Sequence, residues 1–170
     1  MSLDEFAYIY ARKPEWINDP FFKASLETGV YEMITDPAYQ EKIKNSPTHE
    51  RDVKAFETAL KNLKKLYDAG VFIALGTDSG AMALRAQGFS EHLELELMVQ
   101  AGLTPLEAIK LGTYNAAEVL HISDKEGSIE KGKLANFIVL DADPKKNIKN
   151  TRKIESIWKN GVIVSHGPIH

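Results

Sequence analysis

The sequence predicts an α/β fold, with a helix-rich part to about residue 121 and a small β part after it. Three observations carry this. First, Val71-Phe72-Ile73-Ala74-Leu75 runs straight into Gly76-Thr77-Asp78-Ser79-Gly80 and reads as a short strand buried on both faces, with Asp78 at its carboxyl end. Second, Val53, Phe56, Leu60, Leu63, Leu66 and Tyr67 recur at intervals of three and four, as one face of a helix does. Third, beyond His121 this period gives way to short apolar runs parted by turn residues. The division implied is residues 1–121 and 122–170.

Taken in order, residues 6–11 form an aromatic-rich candidate strand, followed by turns around Asn18-Asp19-Pro20 and Thr35-Asp36-Pro37. Asp36 before Pro37 has the form of an N-cap followed by a first-turn proline, which predicts a short helix over 38–45. Ser46-Pro47-Thr48 opens the longer amphipathic helix, and Gly70 stops it before the strand over 71–75. A helix over 91–101 is apolar on most sides and so must be packed inside a larger body. Thr104-Pro105-Leu106-Glu107 combines an N-cap, a first-turn proline and a capping-box glutamate, and Thr113 starts a further short helix to Leu120. Strands are expected at 128–129, 136–140, 154–159 and 162–164, the last two joined by Asn160-Gly161, a dipeptide suited to a two-residue hairpin turn.

Composition narrows the function classes. With 44% hydrophobic residues in 170, the chain has enough apolar material for a core. A formal net charge of -3 implies neither nucleic acid nor an anionic membrane surface as partner. With zero cysteines there is no disulfide framework and no thiolate ligand or nucleophile, so any metal must be held by His, Asp, Glu or a modified Lys. The start, Met1-Ser2-Leu3-Asp4-Glu5, lacks the apolar region of a signal peptide and no stretch is long enough to span a bilayer, which points to the cytoplasm.

Asp78 is the residue on which chemistry centres. A carboxylate where a buried strand runs out into a glycine-flanked turn can bind a metal or move a proton at the mouth of a barrel or open sheet, although an aspartate there can equally just cap the turn. Around it, Ala69-Gly70-Val71 leads into Gly76-Thr77-Asp78-Ser79-Gly80. Then come His92-Leu93-Glu94-Leu95-Glu96-Leu97-Met98-Val99, Ala101-Gly102-Leu103-Thr104-Pro105 and Thr113-Tyr114-Asn115-Ala116-Ala117. Gly127-Ser128-Ile129-Glu130-Lys131-Gly132-Lys133-Leu134-Ala135-Asn136-Phe137-Ile138-Val139-Leu140 and Ile157-Trp158-Lys159-Asn160-Gly161 complete the set. In these segments the chain resembles the C-terminal part of an amidohydrolase-superfamily enzyme, closest to the prolidase and imidazolonepropionase-like branch. The resemblance runs from Leu66 to the C-terminus, with Asn136 standing where the family pattern usually carries Asp.

The resemblance implies a metal-dependent hydrolase with a (β/α)8 TIM-like barrel and a small flanking β-sandwich. It implies that Asp78 contacts a divalent metal, with zinc the expected ion, takes the proton of metal-bound water and later passes it to the leaving nitrogen of a small-molecule amide or cyclic amide. The other ligands implied by the family are a His-x-His pair on the first strand, a modified Lys or a Glu on the fourth, and histidines on the fifth and sixth. None has a counterpart here, for His49, His92, His121, His166 and His170 include no such pair. Length agrees, since a whole barrel takes about 250 residues. The expectation is a partial barrel, holding only the last strands and helices, plus a sandwich portion. Asp78 is then its one surviving metal ligand, and the isolated chain is inactive.

Other residues carry competing readings. His92, in the first turn of its helix, either faces the substrate mouth as a binding residue or is a neutral histidine lining a loop, and the second is favoured. Glu94 and Glu96 complement the helix N-terminus, and Thr77 and Ser79 either orient Asp78 or stabilise the turn. His49 reads as solvated, His166 and His170 as parts of a terminal tail, and Trp16 and Trp158 as packing anchors. Asp78-Ser79-Gly80 also matches the Asp-Ser/Thr-Gly of aspartic proteases, but that chemistry needs two such aspartates in a nearly all-β protein. A non-catalytic interaction module, or a subunit that completes a barrel with a partner chain, is the alternative to an enzyme segment. Open strand edges and the apolar helix over 91–101 lead to the expectation of a homo-oligomer.

Overall fold

The computed structural model describes residues 17–81 and 83–167; the candidate strand over 6–11, Trp16 and His170 lie outside them. The helical part opens with α1 (Pro20–Ala24), where the Asp19 carboxylate accepts from the Phe21 and Phe22 N–H groups at 2.9 and 3.3 Å. Then come α2 (Val30–Thr35), α3 (Pro37–Lys44) and α4 (His49–Asp68). Asp36 caps α3 by accepting from the Tyr39 N–H at 2.9 Å, with Pro37 in the first turn, as its sequence form predicts. Helix α4 ends at a left-handed Gly70 (φ 76°), a conformation that costs a residue without Cβ little.

Helix α5 (Phe89–Gln100) starts two residues earlier than expected and is the centre of the molecule. Phe89, Leu93 and Leu97 are buried against Phe22, Val30, Ile34, Phe56 and Ala86. On another side Met98 packs with Leu103, Ala108 and Leu111, the last two from α6 (Pro105–Gly112). The all-round apolar character of α5 is thus explained by two cores sharing one helix. At the start of α6 the reciprocal box forms as read: the Glu107 N–H donates to Thr104 Oγ1 at 3.3 Å, and the Thr104 N–H to Glu107 Oε2 at 2.7 Å. Helix α7 (Tyr114–Val119) follows.

The β part is a three-stranded antiparallel sheet in the order β1 (Phe137–Leu140), β2 (Ile154–Lys159), β3 (Val162–His166). Asn160 (φ 51°) and Gly161 (φ 76°) both take positive φ, the turn type whose twist matches the strands it joins. Phe137 stacks on Trp158 across the β1–β2 ladder at 5.4 Å, so Trp158 is a packing residue. A 3₁₀ helix (Ile148–Arg152) between β1 and β2 turns back onto the helical part. There the Arg152 guanidinium lies 4.4 Å from the centre of the Phe89 ring and pairs with Glu96 at 2.5 Å and Asp19 at 3.1 Å.

Several expectations are corrected. The segment 71–75 is irregular and forms no ladder, and it is not buried on both faces: Val71 and Phe72 are 48% and 59% exposed. A doubly buried strand needs neighbours on both edges, and among the described residues no strand flanks it. Only Ile73 and Leu75 turn inward to the second core, with the Leu75 N–H bonded to the Leu111 carbonyl (3.0 Å) and the Ile73 carbonyl to the Asn115 amide (2.7 Å). Residues 128–129 are not a strand; Ser128 instead donates to Glu130 at 2.7 Å in a bend that leaves Ile129 exposed. Glu94 is buried and Glu96 pairs with Arg152, so neither simply complements a helix end. His49 is half-buried, and His166 closes β3 and is not part of a loose tail.

Candidate functional site

Asp78 follows the irregular segment and takes a left-handed backbone (φ 52°), unusual for a residue with a Cβ. Its side chain is 77% exposed and sits 3.6 Å from the Arg85 guanidinium, which is itself largely sheltered. The loop between them is closed by the Gly80 N–H donating to the Arg85 carbonyl at 2.9 Å and the Ala81 N–H to the Asp78 carbonyl at 3.1 Å. An outward carboxylate on a closed loop is free to meet a reacting molecule or an ion.

The Thr77 and Ser79 hydroxyls turn to Glu91 and not to the Asp78 carboxylate. Both hydroxyls donate to Glu91 Oε1, that of Thr77 at 2.7 Å, while the Gly88 N–H donates to Glu91 Oε2 at 2.8 Å and the Ser79 N–H to Thr77 Oγ1 at 3.1 Å. Their side chains turn inward because a part-buried carboxylate needs partners. Burial pushes the Glu91 carboxyl up, but the Ser79 and Thr77 hydroxyls with the backbone N–H groups outweigh it and hold the group below its ordinary value.

His92 is drawn to the other side of α5. Its ring packs edge-on against Phe21 at 5.5 Å, and Nδ1 lies 2.9 Å from Thr151 Oγ1 in the 3₁₀ helix. Burial first, then the nearby Arg152 charge, pushes it down to about 4 against the pull of Glu91. A ring so packed is held neutral at pH 7, against Phe21 and Thr151.

The metal expectation meets a plain obstacle. Among the described residues no group of three or more His, Asp or Glu side chains converges in ligand geometry, and the charged neighbour of Asp78 is a cation, Arg85. These residues do not by themselves fit a catalytic metal, which needs about three protein donors. Sequence reasoning missed Glu91, Arg85 and Arg152. For Glu91 a local signal exists, since it stands at the third helical position after Gly88, the place of a capping-box glutamate.

Ochratoxinase from Aspergillus niger is 37% identical over 114 residues, covering 64% of this chain and 21% of that protein. Imidazolonepropionase from Christiangramia forsetii is 30% identical over 105 residues, covering 59% of this chain and 25% of that protein. Among solved structures, a Xaa-Pro dipeptidase superposes with a TM-score of 0.58 at 28% identity, covering 87% of this chain and 34% of the other. A putative prolidase from Bifidobacterium longum does so with the same score at 26% identity, covering 88% and 34%. The chain thus spans about a fifth to a third of the length of these relatives, and the likeness implies a fold related to the TIM barrel. The sequence profile of the Amidohydrolase family matches residues 21–165, and the chain belongs to that family.

Proposed function

We propose that this chain is the C-terminal segment of an amidohydrolase that hydrolyses amide or cyclic-amide C–N bonds of small molecules, and that Asp78 is its proton-transfer residue. The observation that carries the reading is the outward Asp78 carboxylate, held on a closed loop in a chain of this family. In this role Asp78 accepts a proton from the attacking water and returns it to the leaving nitrogen, general base and then general acid. Members of the family are generally metal-dependent, and the further donors such a centre needs are not found among the described residues. The reading therefore divides the chain into a partial barrel over 1–121 and a sandwich portion over 122–170, and holds the isolated chain inactive. His92 has no part in it.

Elemental analysis of the purified chain, with hydrolysis assays on dipeptides and cyclic amides, is expected to find no stoichiometric zinc and no turnover. Stoichiometric metal with turnover would overturn the claim that the site is incomplete. The reading frame upstream is expected to encode a His-x-His segment; in the longer enzyme so encoded, Asp78→Asn should lower kcat by roughly 100-fold or more. Turnover unchanged by that substitution would refute the role given to Asp78.

We further propose that the chain self-associates, a reading supported by the exposed apolar side chains of Val71 and Phe72. Light scattering at high concentration should report a dimer or larger species, and a strict monomer would count against it.

A further inference from the structure

The geometry points to Glu91 as the positioning residue for Asp78: its carboxylate grips the residues on either side of Asp78 and fixes the turn in which that aspartate is presented. This rests on the role proposed for Asp78. Glu91 belongs to a different element, the first turn of α5, yet one of its oxygens accepts from both Thr77 Oγ1 and Ser79 Oγ, the immediate neighbours of Asp78. Its other oxygen accepts from the Gly88 N–H at 2.8 Å, the bond that an ordinary helix-capping glutamate makes. The cap therefore accounts for Oε2 alone. The two hydroxyl contacts span 14 and 12 residues of sequence and tie the turn to the helix that holds the main core together.

The turn needs such a tie. Asp78 has φ 52°, a left-handed conformation that a residue with a Cβ seldom adopts without surrounding support. Its own carboxylate is no firm anchor, being exposed and 3.6 Å from Arg85. With the side chains on both sides turned inward to Glu91, the one between them is left pointing out. Substituting Glu91 would leave the carboxylate of Asp78 chemically intact but spread over more orientations, and reactivity is sensitive to misplacement of this kind.

Three variants separate the turn clamp from the helix cap: Glu91→Ala removes both, the double variant Thr77→Val/Ser79→Ala removes the clamp and keeps the cap, and Glu91→Gln keeps an oxygen able to accept from both hydroxyls. Amide hydrogen exchange on the full 170-residue chain is the first readout. Glu91→Ala and the double variant should speed exchange at Gly80 and Ala81 by about tenfold or more, a local opening. The α5 amides from Leu93 to Val99 should be unchanged in the double variant, and Glu91→Gln should recover most of the protection. In the longer enzyme, the first two variants should lower kcat by roughly 10- to 100-fold with KM little changed. Unchanged exchange at the turn would overturn the clamp. Faster exchange with kcat unaffected, while Asp78→Asn abolishes turnover, would overturn the positioning role and leave the proposed function standing. Turnover indifferent to Asp78→Asn would overturn the proposed function and this inference with it, even where the exchange results hold.

Discussion

At the scale of single residues, this chain uses side-chain acceptors to hold backbone that has no ladder to hold it. Asn136 is an instance: its amide oxygen accepts the Asn160 N–H at 2.7 Å, pinning the hairpin turn. An amide oxygen is a sufficient acceptor for that bond. His92 allows a prediction with a definite sign. Its folded value of about 4 lies below the ordinary 6.5, so between these limits the unfolded chain binds more protons than the folded one. Stability is therefore full above about pH 6.5 and is lost as pH falls toward about 4, by up to about 3 kcal/mol. Urea unfolding at pH 7 and pH 4.5 should show this difference, and His92→Gln should shrink it; an equal pH dependence in the variant would refute the assignment.

At the scale of elements, α5 is the piece on which the others depend. Its apolar surface requires cover, which Phe22, Val30, Ile34 and Phe56 supply from α1, α2 and α4. Phe89→Ala, at a fully buried position, is expected to cost about 3 to 5 kcal/mol, measured as a lowered urea midpoint at unchanged slope. Gly161 offers a contrasting case. A Cβ there would meet nothing closer than Ala135 at 3.8 Å, so Gly161→Ala should cost only the backbone term of about 1 kcal/mol. A loss several times larger would mean that the hairpin is held by packing that its contacts do not account for.

At the scale of the whole molecule, Arg152 joins the two halves. It reaches from the 3₁₀ helix beside the sheet to Glu96 on α5 and to Asp19 at the start of α1, with its guanidinium over Phe89. Both Arg152 and Glu96 are largely sheltered, so losing the guanidinium removes a close cation from a sheltered carboxylate. Arg152→Ala is expected to destabilise the chain by about 3 kcal/mol and to increase hydrogen exchange in β1 and β2 before α4. Among the described residues no helix is long and apolar enough to cross a membrane.

Local rules made much of this legible from the sequence. The caps at Asp36 and Thr104, the long amphipathic helix, the turn at Asn160-Gly161 and the strands either side of it depend on neighbours within a few residues, and these the chain determines by itself. Tertiary structure alone decided which groups surround Asp78. That Thr77 and Ser79 face Glu91, that His92 turns to Thr151 59 residues away, and that Arg152 spans 133 residues to Asp19 are pairings across the fold. No local period encodes them. The burial of 71–75 was misread for the same reason: an apolar run records the cover a strand requires, while whether that cover is present depends on the strands beside it.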